Sequence, residues 1–119
     1  MAVMRTHNTV PVPYPLALVI TLVVEVPVYL VVFRFAGFLA GWRGFAAAVG
    51  VNLATHPVVW WVLSSHPGWL VPVEAAVVAV EAALLFALVR RQAALLALTA
   101  LVANAGSLLA GLAFEVLRR

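Results

Sequence analysis

Four apolar stretches, each about as long as a bilayer is thick, leave this chain little freedom. They run over residues 16–35, 45–63, 72–89 and 93–117, and a helix needs roughly 20 apolar residues to cross the ~30 Å hydrocarbon layer. Proline, glycine, aromatic or arginine residues bound each of them, as suits a membrane interface. Lipid offers backbone groups no hydrogen bonds, so each stretch has to pair its own, which a helix does. Composition agrees: 66% of the residues are hydrophobic and 9% charged, far from the balance of a soluble domain. The expected fold is all-α, an integral membrane bundle of four transmembrane helices. Residues 1–15 form a flexible lead-in and 16–119 a single four-span domain. The lead-in MAVMRTHNTVPVPYP is polar and proline-containing. The first span carries a glutamate at its centre instead of a small-residue cleavage site, so it is expected to be retained. No cysteine is present, which excludes disulfides and thiolate metal sites.

The seven arginines, Arg5, Arg34, Arg43, Arg90, Arg91, Arg118 and Arg119, all fall at span ends or in connections. They read as headgroup anchors. No basic run or aromatic platform accompanies them, so nucleic acid is not an expected partner. Short connections make neighbouring spans antiparallel. Arg34, Arg43, Arg90 and Arg91 then share one face, and Arg5, Arg118 and Arg119 share the other with both termini. The small excess leans toward cytoplasmic arginine-bearing connections. The expected setting is a bacterial or archaeal cytoplasmic membrane.

The halves of the chain resemble each other. Glu25 is followed nine residues later by Arg34, and Glu81 nine residues later by Arg90. Asn52-x-x-Thr55 in the second span is echoed by Asn104-x-x-Ser107 in the fourth. Two parallel-repeated helical hairpins, related by an axis along the membrane normal, would produce this pattern.

Polar residues fall at matching depths. At ~1.5 Å per residue, Glu25, Glu81, Asn52 and Ser107 lie about 15 Å from the terminus-bearing face, His56 about 10 Å, Asn104 about 20 Å and Glu74 about 5 Å. The expectation is a slab near the midplane with Glu74 at its mouth. Glu74 and Glu81 share a face of the third span, and Asn52 and His56 share one of the second. An ionised carboxylate at the bilayer centre costs at least ~2.5 kcal/mol, so the glutamates are not filler. No basic residue lies at their depth, and only Arg34 is placed to fold back toward them. Their counter-charge is therefore a proton, a metal ion or a cationic ligand. The candidate ion- or proton-binding residues are Glu25, His56, Glu81, Glu74, Asn52 and Asn104. No catalytic residue is assigned.

Two prolines fall at the same level. Pro27 and Pro57 each free the carbonyl four residues earlier, at Val23 and Leu53, and such carbonyls are expected to line the slab. Other polar and aromatic residues receive plainer roles. Asn52, Asn104, Thr55 and Ser107 suit interhelical hydrogen bonding. Ala103, Ser107 and Gly111 form a small-residue packing face, and Gly37 and Gly41 a second one. Trp42, Trp60, Trp61 and Trp69 read as aromatic belts, with Tyr14 and Tyr29 in part. His66 sits in a Pro-Gly turn, His7 in the lead-in, and Glu115 forms an exposed interfacial pair with the terminal arginines.

A mononuclear divalent metal held by His56, Glu81 and Glu25 or Glu74 would suit zinc, manganese or iron, although no H-E-x-x-H or E-x-x-H pattern is written. The size, the four spans, the weak charge asymmetry and the lone first-span glutamate in LVVEVPVYL resemble the small multidrug resistance transporters. That likeness implies a dual-topology dimer exchanging protons for cationic drugs, with Glu25 as the exchange site. Glu74, Glu81, His56 and the Asn-x-x-Thr-His-Pro run have no place in that family's pattern. Three readings follow: cation or proton movement across the membrane, a membrane-embedded metal-dependent enzyme acting on a lipid-like substrate, or a non-catalytic subunit of a larger membrane complex. A homo-oligomer or a membrane partner subunit is expected beside the lipid bilayer, since four short spans enclose little more than their own side chains.

Overall fold

The computed structural model describes residues 14–39 and 41–118. They form four long helices, α1 (Tyr14–Ala36), α2 (Trp42–Ser65), α3 (Leu70–Val89) and α4 (Ala93–Leu117), with no strand among the described residues. Each segment is long and apolar enough to cross a membrane. Helix α1 opens at Tyr14, inside the expected lead-in, and the rest of that lead-in, residues 1–13, lies outside the described residues.

The turns are set by backbone conformations that few residues adopt. Gly37 ends α1 at φ 71°, and Gly41 precedes α2 at φ 59°, both in the left-handed region that glycine enters without steric cost. These glycines make the turn; the packing face expected of them does not form. In the α3–α4 connection Arg90 and Gln92 take φ 62° and 54°. Arg91, between them, reaches across: its Nη2 donates to the Gly37 carbonyl at 2.6 Å, and its guanidinium lies 5.1 Å from the Phe38 ring centre. The two arginine-bearing connections are thus tied together at one end of the bundle. At the opposite end a 3-10 turn over Pro67–Trp69 joins α2 to α3, with the His66 ring stacked on Trp69 at 4.1 Å.

Each helix packs against its two chain neighbours, α1 also closing on α4, and no diagonal backbone contact occurs among the described residues. Glu25 on α1 and Glu81 on α3 therefore sit on diagonally opposed helices. The buried face of α1 recurs every fourth residue at Ala17, Thr21, Glu25, Tyr29 and Phe33, the spacing of one helical face. On α3 it comprises Val77, Glu81 and Leu85.

The repeat suspected from sequence appears in the burial. At the offset that carries Asn52 to Asn104, buried Gly44, Ala48, Val51, Thr55, Val59 and Leu63 of α2 fall on buried Leu96, Ala100, Ala103, Ser107, Gly111 and Glu115 of α4. At the offset that carries Glu25 to Glu81, Thr21 falls on Val77 and Tyr29 on Leu85. His56 departs from the pattern, since its counterpart Leu108 is only half-buried.

Apolar helices gain nothing from leaving lipid, so close approach of small residues supplies much of the association. Ala48, Ala100 and Ala103 are fully buried. A Cβ on Gly44 would stand 2.7 Å from the Leu39 carbonyl oxygen and 3.4 Å from Phe33 Cδ2, whereas one on Gly50 would meet nothing within 4 Å. In a detergent-unfolding titration Gly44→Ala should cost about 1–3 kcal/mol, as overpacking against backbone does. Gly50→Ala, in open space, should be neutral or slightly stabilising. Equal effects at the two glycines would contradict this packing.

Candidate functional site: an acidic cavity at the bundle axis

All six candidate residues line one small cavity. Its wall is built from Thr21, Glu25, Asn52, Thr55, His56, Val59, Glu74, Val77, Glu81 and Asn104. The volume open to the centre of a water molecule is ≈ 10 Å³, about the space one water occupies. Glu25 and Glu81 are each 1% exposed. Glu74 is half-buried and also borders an outward-facing groove between α3 and α4 that it shares with Asn104. Among the described residues no arginine pairs with Glu25 or Glu81, and Arg34 is exposed.

The two central carboxylates have different surroundings. Glu81 is served from all three other helices. Tyr29 of α1 donates to its Oε1 at 2.5 Å, Asn104 of α4 donates to the same oxygen at 2.9 Å, and Thr55 of α2 donates to Oε2 at 2.8 Å. For Glu25 one contact is present, from the Ser107 hydroxyl to Oε2 at 2.5 Å, and its Oε1 has no hydrogen-bond partner among the described residues. The Thr55–Glu81 and Ser107–Glu25 bonds are counterparts under the repeat. Asn52 and Asn104 likewise each donate to the carbonyl four residues earlier, of Ala48 and Ala100, at 2.8 Å. Tyr29 breaks the equivalence because Leu85 stands at its counterpart position.

Hydrogen counting sharpens the contrast. The Ser107 hydroxyl owns one hydrogen and has two acceptors in range, Glu25 Oε2 and the Asn104 carbonyl at 3.0 Å. If Glu25 carries a proton of its own, both bonds are made at once, Glu25 to Ser107 and Ser107 to Asn104. At Glu81 two donors are committed, because the Asn104 amide nitrogen can only donate and the Tyr29 hydroxyl has no other acceptor in reach; Thr55, like Ser107, has a second acceptor, the Val51 carbonyl at 3.0 Å. His56 is 4% exposed, and neither ring nitrogen has a partner among the described residues. Its ring lies 5.3 Å from that of Tyr14. The Thr21 hydroxyl is similarly without a described partner.

Several expectations need correction. Tyr29, expected in part in an aromatic belt, is fully buried and donates to Glu81. Glu115 is 2% exposed, not an exposed interfacial group, and Arg118 approaches it at 3.8 Å. Pro27 and Pro57 are exposed, as are Val23 and Leu53, so the prolines interrupt the outward sides of their helices and the freed carbonyls do not line the cavity. Asn104, Thr55 and Ser107 do join helices, and they do so through the glutamates. His56, Glu81 and Glu25 share the cavity wall, yet among the described residues no three His, Asp or Glu side chains come together as metal ligands. Thr21 and Tyr29 were not singled out for the site, although they lie one turn before and one turn after Glu25, and that spacing was the signal to find them.

Comparison with protein-family models, curated proteins and solved structures gives no match to this chain. Fold and cavity together define a four-span membrane protein with glutamates buried at the bundle axis.

Proposed function

We propose that the chain binds protons at this layer and moves them across the membrane, with Glu25 as the exchanging group. The observation that carries this reading is the unequal solvation of two carboxylates on one cavity wall. Glu81 has three donors and is suited to anchor positive charge. Glu25 has one open oxygen and a hydroxyl that accepts its proton in a hydrogen bond. Glu74, with His56 beside the same space, connects the cavity to the terminus-bearing side. Space for a single water favours a proton over an organic cation, and hydroxyls of Thr21, Thr55 and Ser107 give it partners. The test is wild-type protein in liposomes loaded with a pH-sensitive dye and polarised by a potassium gradient. Proton entry well above protein-free liposomes is expected. Entry no faster than theirs, in either direction of polarisation, would overturn the reading.

A further inference from the structure

An apolar furrow on the surface has no part in the acidic layer. A furrow of about 650 Å³ runs between α2 and α3 from the arginine-bearing end, with Trp42 and Arg43 at its mouth, Ala46, Gly50 and Ala54 along its floor, and Leu84 on the opposite wall. From Trp42 to Ala54 is about 18 Å along the helix, close to the depth of one leaflet's hydrocarbon. The walls are apolar and Arg43 stands at the mouth. The Arg43 guanidinium lies 5.9 Å from the Trp42 ring centre and makes no ion pair among the described residues. Just past the end of α3, the exposed Arg90 donates from its Nε to the carbonyl of Ala87, a lining residue, at 3.2 Å. Its terminal nitrogens remain available.

We propose that this furrow binds one anionic phospholipid, its phosphate between Arg43 and Arg90 and one acyl chain against Gly50 and Ala54. A guanidinium fork matches phosphate oxygens, and arginines at headgroup depth favour anionic lipids. Charge decides between lipid and a second copy of the chain. Two copies packed through this furrow about a two-fold axis along the membrane normal would bring like-charged rims together, whereas an anionic headgroup neutralises them. A single leaflet's depth also fits a lipid chain better than a spanning helix.

The test uses Trp42 as reporter. With Trp60, Trp61 and Trp69 changed to Phe and helicity checked by circular dichroism, the protein is placed in phosphatidylcholine bilayers. Phosphatidylglycerol or phosphatidylcholine brominated near the carbonyl end of a chain is then added. Brominated phosphatidylglycerol should quench Trp42 at mole fractions about tenfold lower, in line with two arginines near the surface. Arg43→Gln with Arg90→Gln should abolish that preference, and Gly50→Leu should remove quenching by either lipid at low mole fraction. Native mass spectrometry of the unaltered chain provides a second reading, one phosphatidylglycerol retained and lost in the double arginine variant. Equal quenching by the two lipids, a preference that survives loss of both arginines, or a Gly50→Cys protein that crosslinks to itself in bilayers would each overturn the proposal.

Discussion

Replacing Glu25 by glutamine should reduce proton entry into polarised liposomes at least tenfold, to the level of protein-free vesicles, while helix content stays unchanged. Glutamine keeps the volume and the oxygen that meets Ser107 at 2.5 Å, so packing gives no reason for collapse. What it removes is an acid able to take up and release a proton beside a cavity one water wide. Glu25→Asp, one methylene shorter, should retain part of the flux because the chemistry survives while the reach to Ser107 weakens. If both variants carried protons at the wild-type rate, Glu25 would be a structural residue and the exchange would have to be placed elsewhere.

Glu81 should divide differently between stability and transport. Glu81→Ala leaves the Tyr29 hydroxyl without an acceptor in a dry interior, a penalty of about 1–3 kcal/mol, and opens a void where four methylene and carboxyl atoms packed. The sum is partly offset by deleting a group that is itself costly in lipid. A loss of about 2–4 kcal/mol in detergent-unfolding titrations is the expected result. Glutamine at this position can place its carbonyl where Oε1 stood, receiving Tyr29 and Asn104, and offer its amide to Thr55, whose hydroxyl can turn to the Val51 carbonyl 3.0 Å away. Glu81→Gln should therefore cost less than about 1 kcal/mol. Tyr29→Phe, which keeps the ring against Phe33, should fall in the same range as other membrane hydrogen bonds, ~0.6 and at most ~1.7 kcal/mol. A Glu81→Ala protein as stable as its glutamine counterpart would show that the three donors contribute nothing.

The helices were legible because lipid imposes a length and a backbone rule that the sequence cannot evade, and glycine, proline and arginine mark where each span stops. The acidic layer was legible for a related reason. Counting residues from a known face fixes depth, and Glu25, Asn52, Glu81 and Ser107 share one depth whatever the rotation of their helices. Rotation is what depth cannot supply. Tyr29 was read by residue type, as an interface aromatic, although its position one turn beyond Glu25 put it on the same face. Pro27 and Pro57 have the right depth and the wrong face. Glu115 lies near a span end where exposure is the usual outcome, but its place four residues after Gly111, continuing the Ala103, Ser107, Gly111 face, marks it as inward. The inequality of Glu25 and Glu81 is hidden because the repeat suggests equivalence; it arises from Tyr29, which has leucine at the matching place, and from Asn104, which donates to Glu81 while its counterpart Asn52 donates to the Ala48 carbonyl.

Infrared difference spectroscopy of the carboxylic-acid carbonyl band is the most direct probe of the proposal that Glu25 is the axial glutamate that carries the exchanging proton. Wild-type protein in bilayers should show a band from a protonated, hydrogen-bonded acid that shifts in deuterium oxide. That band should vanish in Glu25→Gln and persist in Glu81→Gln. A spectrum with no such band, or one whose band disappears with Glu81 and survives the loss of Glu25, would contradict the assignment.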